Sequence, residues 1–158
     1  MPAAPASESL ALRVGEICAA HAHLEGPLLP ILHGVQDAFG HVPEDALPVI
    51  AAQLNLTRAE VHGVMSFYHD FRTEPAGRHV VKICRSEACQ AMGAERSVAA
   101  AERALGVGMG ETTPDGAVTL EPVYCLGLCA CGPAALVDGE VRGRMDAGTV
   151  TDLVKGLR

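Results

Sequence analysis

The chain has 158 residues, 49% of them apolar and 20% charged, with 17 Gly and 10 Pro. That length fits one domain, or one domain with an extension, and the composition excludes a disordered or low-complexity chain. The net charge is −7, Trp is absent, and Phe and Tyr number five together. No basic run occurs, so phosphate neutralisation and base stacking both lack residues, which argues against nucleic acid as a partner.

The charge is unevenly spread. Residues 1–76 hold three basic and nine acidic groups, a net of −6, whereas residues 77–158 hold nine and ten, a net of −1. No membrane segment is expected. The longest uncharged run, Pro122 to Val137, falls short of the roughly 20 residues of a span and contains Gly127, Gly132 and Pro133. The start lacks a positive region followed by an apolar stretch. A cytoplasmic location is therefore expected, where cysteines serve as metal ligands or redox groups in preference to structural disulfides.

In chain order, the first residues (1–7, PAAPAS after the initial Met) are small, Pro-rich and unpatterned, and are expected to be disordered. Ser7 to His23 carries Leu10, Val14 and Ile17 at helical spacing. Leu28, Ile31, Leu32, Val35 and Phe39 form a second helical face, with Pro27 and Pro30 in its first turn and Gly40 as its stop. A third helix starts near Asp45, because Pro48 belongs in a first turn, and presents Leu47, Ile50, Ala51 and Leu54. Thr57-Arg58-Ala59-Glu60 has capping-box spacing ahead of Val61, Val64 and Met65. These elements predict a four-helix N-terminal extension over residues 1–76, with Thr73 to Gly77 as the connector.

The period then changes. His79 to Cys84 is short and β-branched, hence a strand. Ala88 to Leu105 predicts one helix, with Val98, Ala101 and Leu105 on one face, followed by a loop over Gly106 to Gly110. That loop is no phosphate cradle, since it lacks the Lys-Ser/Thr ending and the strand-to-helix setting. Pro114-Asp115-Gly116 is a turn. Ala117 to Val123 reads as a strand, and Ala134 to Val137 and Glu140 to Arg144 as a hairpin around Asp138-Gly139. A last helix runs from about Ala147 to Leu157. Residues 77–158 thus predict an α/β domain with helices on a mixed sheet.

Four cysteines form two pairs, Cys84-x4-Cys89 and Cys125-x3-Cys129, separated by 35 residues. The first sits where a strand passes into a helix and the second in a loop between strands, so both could meet beside the sheet. Four thiolates can hold zinc, whose knuckles have similar spacing, or an iron–sulfur cluster. The second loop is apolar (Leu126, Leu128, Ala130, Pro133, Ala134), a setting that limits water and tunes a redox centre. That favours a 2Fe–2S cluster over zinc, and both over a disulfide or free thiols. A thioredoxin-type dithiol needs two cysteines separated by two residues, and no pair has that spacing. A Rieske centre needs His in the loops, and neither loop has one.

Cys84-Arg85-Ser86-Glu87-Ala88-Cys89-Gln90 and Tyr124-Cys125-Leu126-Gly127-Leu128-Cys129-Ala130-Cys131-Gly132-Pro133 resemble the thioredoxin-like 2Fe–2S ferredoxin family. That family includes the small iron–sulfur subunit of the NADH-oxidising module of complex I. Leu29-Pro30-Ile31-Leu32, Phe39-Gly40-His41-Val42-Pro43 and Gly63-Val64-Met65-Ser66-Phe67-Tyr68 resemble its helical extension, so the likeness spans roughly residues 15–158. Within the family, the segment Cys84 to Gln90, with Val137-Asp138-Gly139 and Gly143-Arg144, looks most like the gamma subunit of NAD-dependent molybdenum formate dehydrogenases. The runner-up is a subunit of complex I or of an NAD-linked hydrogenase.

The resemblance implies a thioredoxin-like fold and an electron-transfer subunit, not a complete enzyme. One 2Fe–2S cluster would be held by Cys84, Cys89, Cys125 and Cys129. Partners would be a flavin and NAD-binding iron–sulfur subunit, which carries FMN, and a molybdenum-containing catalytic subunit. FMN, NAD, the molybdenum cofactor and further clusters would belong to those partners. The family spacing favours Cys129 over Cys131 as the fourth ligand. A zinc-stabilised interaction module and a thiol redox enzyme are the other function classes.

Cys131 and Cys18 otherwise read as small buried thiols. His21, His23, His33, His41, His62 and His69 show no ligand pattern with a carboxylate and read as surface or capping groups. Phe67, Tyr68 and Phe71 cluster after a helix and are read as either core or docking surface, with docking at the junction of helices and sheet domain favoured. Arg85 is either a cation that tunes a cluster or a solvated side chain. Reduction would add negative charge to an acidic protein, so a low potential is expected, near the roughly −400 mV of plant-type clusters.

Overall fold

The computed structural model describes residues 6–158. The expected disordered tip therefore lies outside the described residues up to position 5, and Ala6 and Ser7 open the first helix. The chain divides between Pro75 and Ala76 into two compact units.

Among its described residues the first unit has four helices, α1 (Ala6–His21), α2 (Leu28–Phe39), α3 (Ala46–Leu54) and α4 (Arg58–Phe67). Their apolar faces meet in one core. It contains Val14 and Ile17 from α1, Ile31, Leu32 and Val35 from α2, Leu47 and Ile50 from α3, and Val61 and Met65 from α4. Gly40 ends α2 in the left-handed region (φ 76), as a stop signal requires. The capping box forms at α4: Thr57 Oγ1 accepts from the Glu60 N–H, and the Glu60 carboxylate accepts from the Thr57 N–H at 2.8 Å. Buried Gln36 ties α2 to the segment after α4, donating to Asp70 O at 2.8 Å and accepting from the Arg72 N–H at 2.7 Å. Phe71 is buried in this core, its ring tilted 54° against that of His33 with centroids 4.8 Å apart. Of the three clustered aromatics, only Phe67 and Tyr68 are exposed.

The second unit is a five-stranded mixed sheet with helices. The elements are β1 (His79–Cys84), α5 (Glu87–Ala91), α6 (Ala94–Leu105), β2 (Glu111–Thr112), β3 (Val118–Val123), β4 (Ala135–Val137), β5 (Glu140–Arg142) and α7 (Ala147–Gly156). The strand order is β2-β3-β1-β4-β5. Only β1 and β3 are parallel; every other pairing is antiparallel. Val81, Ile83, Val118, Leu120, Ala135 and Val137 share one core with Val98, Ala101 and Leu105 of α6 and Val150 and Val154 of α7. The α/β architecture with a mixed sheet is thus as expected.

Two local expectations are corrected. The single helix over Ala88–Leu105 is two helices, broken at Met92-Gly93, where Gly93 takes φ 95. An Ala-rich apolar period spans that break unchanged, so periodicity alone does not reveal it. The loop after Gly110 contains an unforeseen edge strand, β2, only two residues long and exposed. Asp138-Gly139 does form the two-residue turn, with both residues at positive φ.

Candidate metal centre

The parallel pairing of β1 and β3 decides where the cysteines fall. Cys84 is the last residue of β1 and pairs with Val123, the last of β3. Antiparallel β4 begins at that same end, with Ala135 opposite Ile83. Three chain segments therefore converge: Cys84 donates to Ala134 O at 2.9 Å, and Arg85 donates to Val123 O at 2.8 Å. From here Ser86 starts α5, which carries Cys89 on its buried side. After β3, Cys125 (φ 73) and Gly127 (φ 77) take left-handed conformations, which curl the loop back into a single 3-10 turn, Cys129–Cys131.

The two pairs differ in burial. Cys84 and Cys89 are 1% and 2% exposed and form a small apolar cluster with Ala94 and Ala134, against which Val123, Leu126 and Leu128 pack. Cys125 and Cys129 are exposed. The four thiols nonetheless interact: Cys84 with Cys89, Cys125 with Cys129, and Cys129 with both members of the buried pair.

The electrostatics follow from that crowding. Burial pushes the Cys84 thiol up. The N–H groups of Ser86 and Cys125, the Cys89 thiol and the Ser86 hydroxyl outweigh it, and hold Cys84 below the ordinary thiol range. Cys89 is pushed up by burial first, then by its hydrogen bond with Cys84; the Ala134 N–H opposes, and the charges of Cys84 and Cys129 add to the rise. Cys129 is pushed up first by the charge of Cys125. Holding all four as thiolates at once would call for a cationic centre among them. Among the described residues no three His, Cys, Asp or Glu gather as around one metal ion. The donor set, two thiols from each of two loops, would suit a binuclear iron–sulfur cluster, which would be held by Cys84, Cys89, Cys125 and Cys129 and supply one-electron chemistry.

Cys131 is held differently. Its N–H donates to Leu128 O at 2.9 Å, its carbonyl accepts from Arg144 at 2.6 Å, and its Cβ lies against Gly143. Cys18 is buried in the helical core, far along the chain from these loops. His21 bonds Ile17 O and His41 bonds Phe39 O, as local capping groups. Arg85 is ion-paired with Glu95, its Nη2 at 3.0 Å from the carboxylate. Sequence reasoning expects backbone N–H donors to sulfur from the tight Gly-containing loop but does not single out Ser86, Cys125 and Ala134. Only Ser86, in an N-cap position before α5, left a readable signal.

The model of the thioredoxin-like 2Fe–2S ferredoxins matches residues 14–158. The chain belongs to that family. As a member, it is 37% identical over 136 residues to an NADH-quinone oxidoreductase subunit of Pseudomonas aeruginosa, covering 84% of this chain and 82% of that one. It is 33% identical over 130 residues to the NADP-reducing hydrogenase subunit HndA of Solidesulfovibrio fructosivorans, covering 82% and 76%. A crystal structure of an NAD+-reducing nickel–iron hydrogenase in the H2-reduced state superposes with a TM-score of 0.70 at 26% identity. It covers 82% of this ferredoxin-family chain, which spans only 22% of the hydrogenase chain. Among the described residues no helix is long and apolar enough to cross a membrane.

Proposed function

We propose that the chain is an electron-transfer subunit that carries one 2Fe–2S cluster on Cys84, Cys89, Cys125 and Cys129 within a multi-subunit, NAD-linked oxidoreductase of the cytoplasm. The observation that carries this reading is the sulfur quartet at one end of the sheet, with one pair buried and the other exposed. Such a cluster supplies reversible one-electron transfer.

The chain's own residues divide the work. Cys84 and Cys89 anchor the group in an apolar shell that keeps water out. The N–H groups of Ser86, Cys125 and Ala134 donate to sulfur and favour its negative charge. The exposed Cys125 and Cys129 bring the redox group to the surface, where exposed Tyr124 supplies apolar contact area for a docked partner. That partner is a flavin and NAD-binding subunit carrying FMN and further iron–sulfur clusters. Electron exchange across this face needs no substrate pocket in this chain.

The finer reading is the gamma subunit of an NAD-dependent formate dehydrogenase, with a molybdenum-containing catalytic subunit as the source of electrons. What supports it is the segment Cys84 to Gln90 together with Val137-Asp138-Gly139 and Gly143-Arg144. A second reading, the equivalent subunit of complex I or of an NAD-linked hydrogenase, is favoured by the names of the relatives.

Anaerobically purified protein is expected to be reddish-brown, with about two irons and two acid-labile sulfides per chain. A colourless, zinc-loaded or metal-free product would overturn the electron-transfer reading. Formate-dependent NAD reduction by the native complex, purified through a tag on this chain, tests the finer one. A complex that instead reduces NAD with hydrogen, or oxidises NADH with quinone, selects the second reading.

A further inference from the structure

Arg85 and Glu95 form an ion pair beside the candidate cluster, and nothing in the electron-transfer reading uses it. Arg85 shares a peptide bond with Cys84, so their Cα atoms lie about 3.8 Å apart. The backbone of Arg85 is fixed on both sides: its N–H donates to Val123 O at 2.8 Å, and its carbonyl accepts from Gln90 Nε2 at 2.8 Å. Glu95 stands in the first turn of α6, directly after Ala94, which is fully buried in the cluster with Cys84 and Cys89. Both charged residues are therefore chain neighbours of the group around the buried pair, Arg85 of Cys84 and Glu95 of Ala94, a setting in which a Debye length of about 10 Å at 0.1 M salt leaves charges coupled. The guanidinium is turned toward α6, with Nη2 at 3.0 Å and Nε at 3.3 Å from the same Glu95 oxygen. Two donors on one acceptor fix its direction as well as its distance.

We infer that Glu95 is a positioning residue that tethers the Arg85 guanidinium away from the cluster sulfurs and masks its charge, and so holds the cluster potential down. The inference rests on the assignment of Cys84 and Cys89 as cluster ligands. A reduced cluster carries one more negative charge than an oxidised one, so an unmasked cation nearby favours the reduced form. In the Glu95→Gln variant the guanidinium loses its anionic partner and becomes free to turn toward the sulfurs. The midpoint then rises. In Arg85→Gln it falls, because a positive charge is removed beside the centre. A purely local role for Glu95, as an acidic side chain favouring the start of α6, would change stability and leave the potential where it was.

The test is an EPR-monitored redox titration of wild type, E95Q, E95D, R85Q and R85Q/E95Q, each first assayed for iron and acid-labile sulfide. The expected result is a higher midpoint in E95Q and a near-wild-type value in E95D, which keeps the tether. The rise on changing Glu95 should also be larger with Arg85 present than in the R85Q background. The expected excess is at least twofold in the reduced-to-oxidised ratio at fixed potential, about 18 mV at 59 mV per tenfold for one electron. An unchanged midpoint in E95Q, or an equal shift in both backgrounds, overturns the inference while leaving the cluster assignment intact. Wild-type protein that assembles no cluster overturns both.

Discussion

Gly143 offers the sharpest test of how the cysteine loop is held. A Cβ at this position would meet Cys131 Cβ at 2.9 Å and Cys131 O at 3.0 Å, with Leu128 Cδ1 at 3.7 Å. Neither of the first two atoms can swing aside. Cys131 is pinned through its N–H to Leu128 O at 2.9 Å and through its carbonyl to the Arg144 N–H at 2.6 Å. Gly143→Ala therefore forces the 3-10 turn Cys129–Cys131 away from the sheet edge, an overpacking cost of about 1–3 kcal/mol. For a unit the size of Ala76–Arg158, each kcal/mol lowers Tm by about 4–8 °C, so about 2 kcal/mol corresponds to roughly 8–16 °C. Calorimetry of the full chain, with iron content measured alongside, reads both the loss of stability and any displacement of Cys129. Gly15→Ala is the control. Its Cβ meets nothing within 4 Å, and it lies inside α1, so it should stabilise by about 0.5–1 kcal/mol through reduced unfolded-state freedom. A Gly143→Ala protein that melts within about 2 °C of wild type and keeps full cluster content would refute the reasoning.

Other consequences are equally direct. Cys129→Ser should lose or alter the iron–sulfur absorption and EPR signals while Cys131→Ser keeps them; the reverse outcome would transfer the fourth ligand to Cys131. Thr57→Ala removes one half of the capping box at α4 and should cost about 1 kcal/mol in urea denaturation of the helical unit, with cluster spectra unaffected. At Asp138, burial pushes the carboxyl up, but the His79 ring at 2.7 Å, the Val80 N–H and the Arg142 charge outweigh it and hold the group below the ordinary aspartate range. A depressed folded-state value means that its stabilisation is full above the ordinary aspartate value and fades as pH falls through the lower, folded one. Asp138→Asn should accordingly flatten the fall in stability below about pH 4, followed as urea midpoints at stepped pH; an unaltered acid slope would count against the ion pair.

Much of this molecule is readable before folding is considered. Helical spacing in Ile31, Leu32 and Val35, the Gly40 stop, the Thr57 capping box and the Asp138-Gly139 turn are local signals, and each appears where its chemistry requires. The α/β change of period after Gly77 is likewise a property of neighbouring residues. The two cysteine spacings favour a thiolate-bound centre over a disulfide or free thiols, because ligand type and loop length are written in the chain. What the tertiary structure alone decided is how those cysteines are arranged. Cysteine pairs with 35 residues between them interact because β1 runs parallel to β3 and both end at one rim of the sheet, a non-local pairing that no short window encodes. The same long-range geometry buries Cys84 and Cys89, exposes Cys125 and Cys129, sets Gly143 against Cys131 and turns Arg85 toward Glu95. Burial and charge contacts arise from the sum of many packed segments, so they become determinate only once the strands have paired and the helices have closed over them.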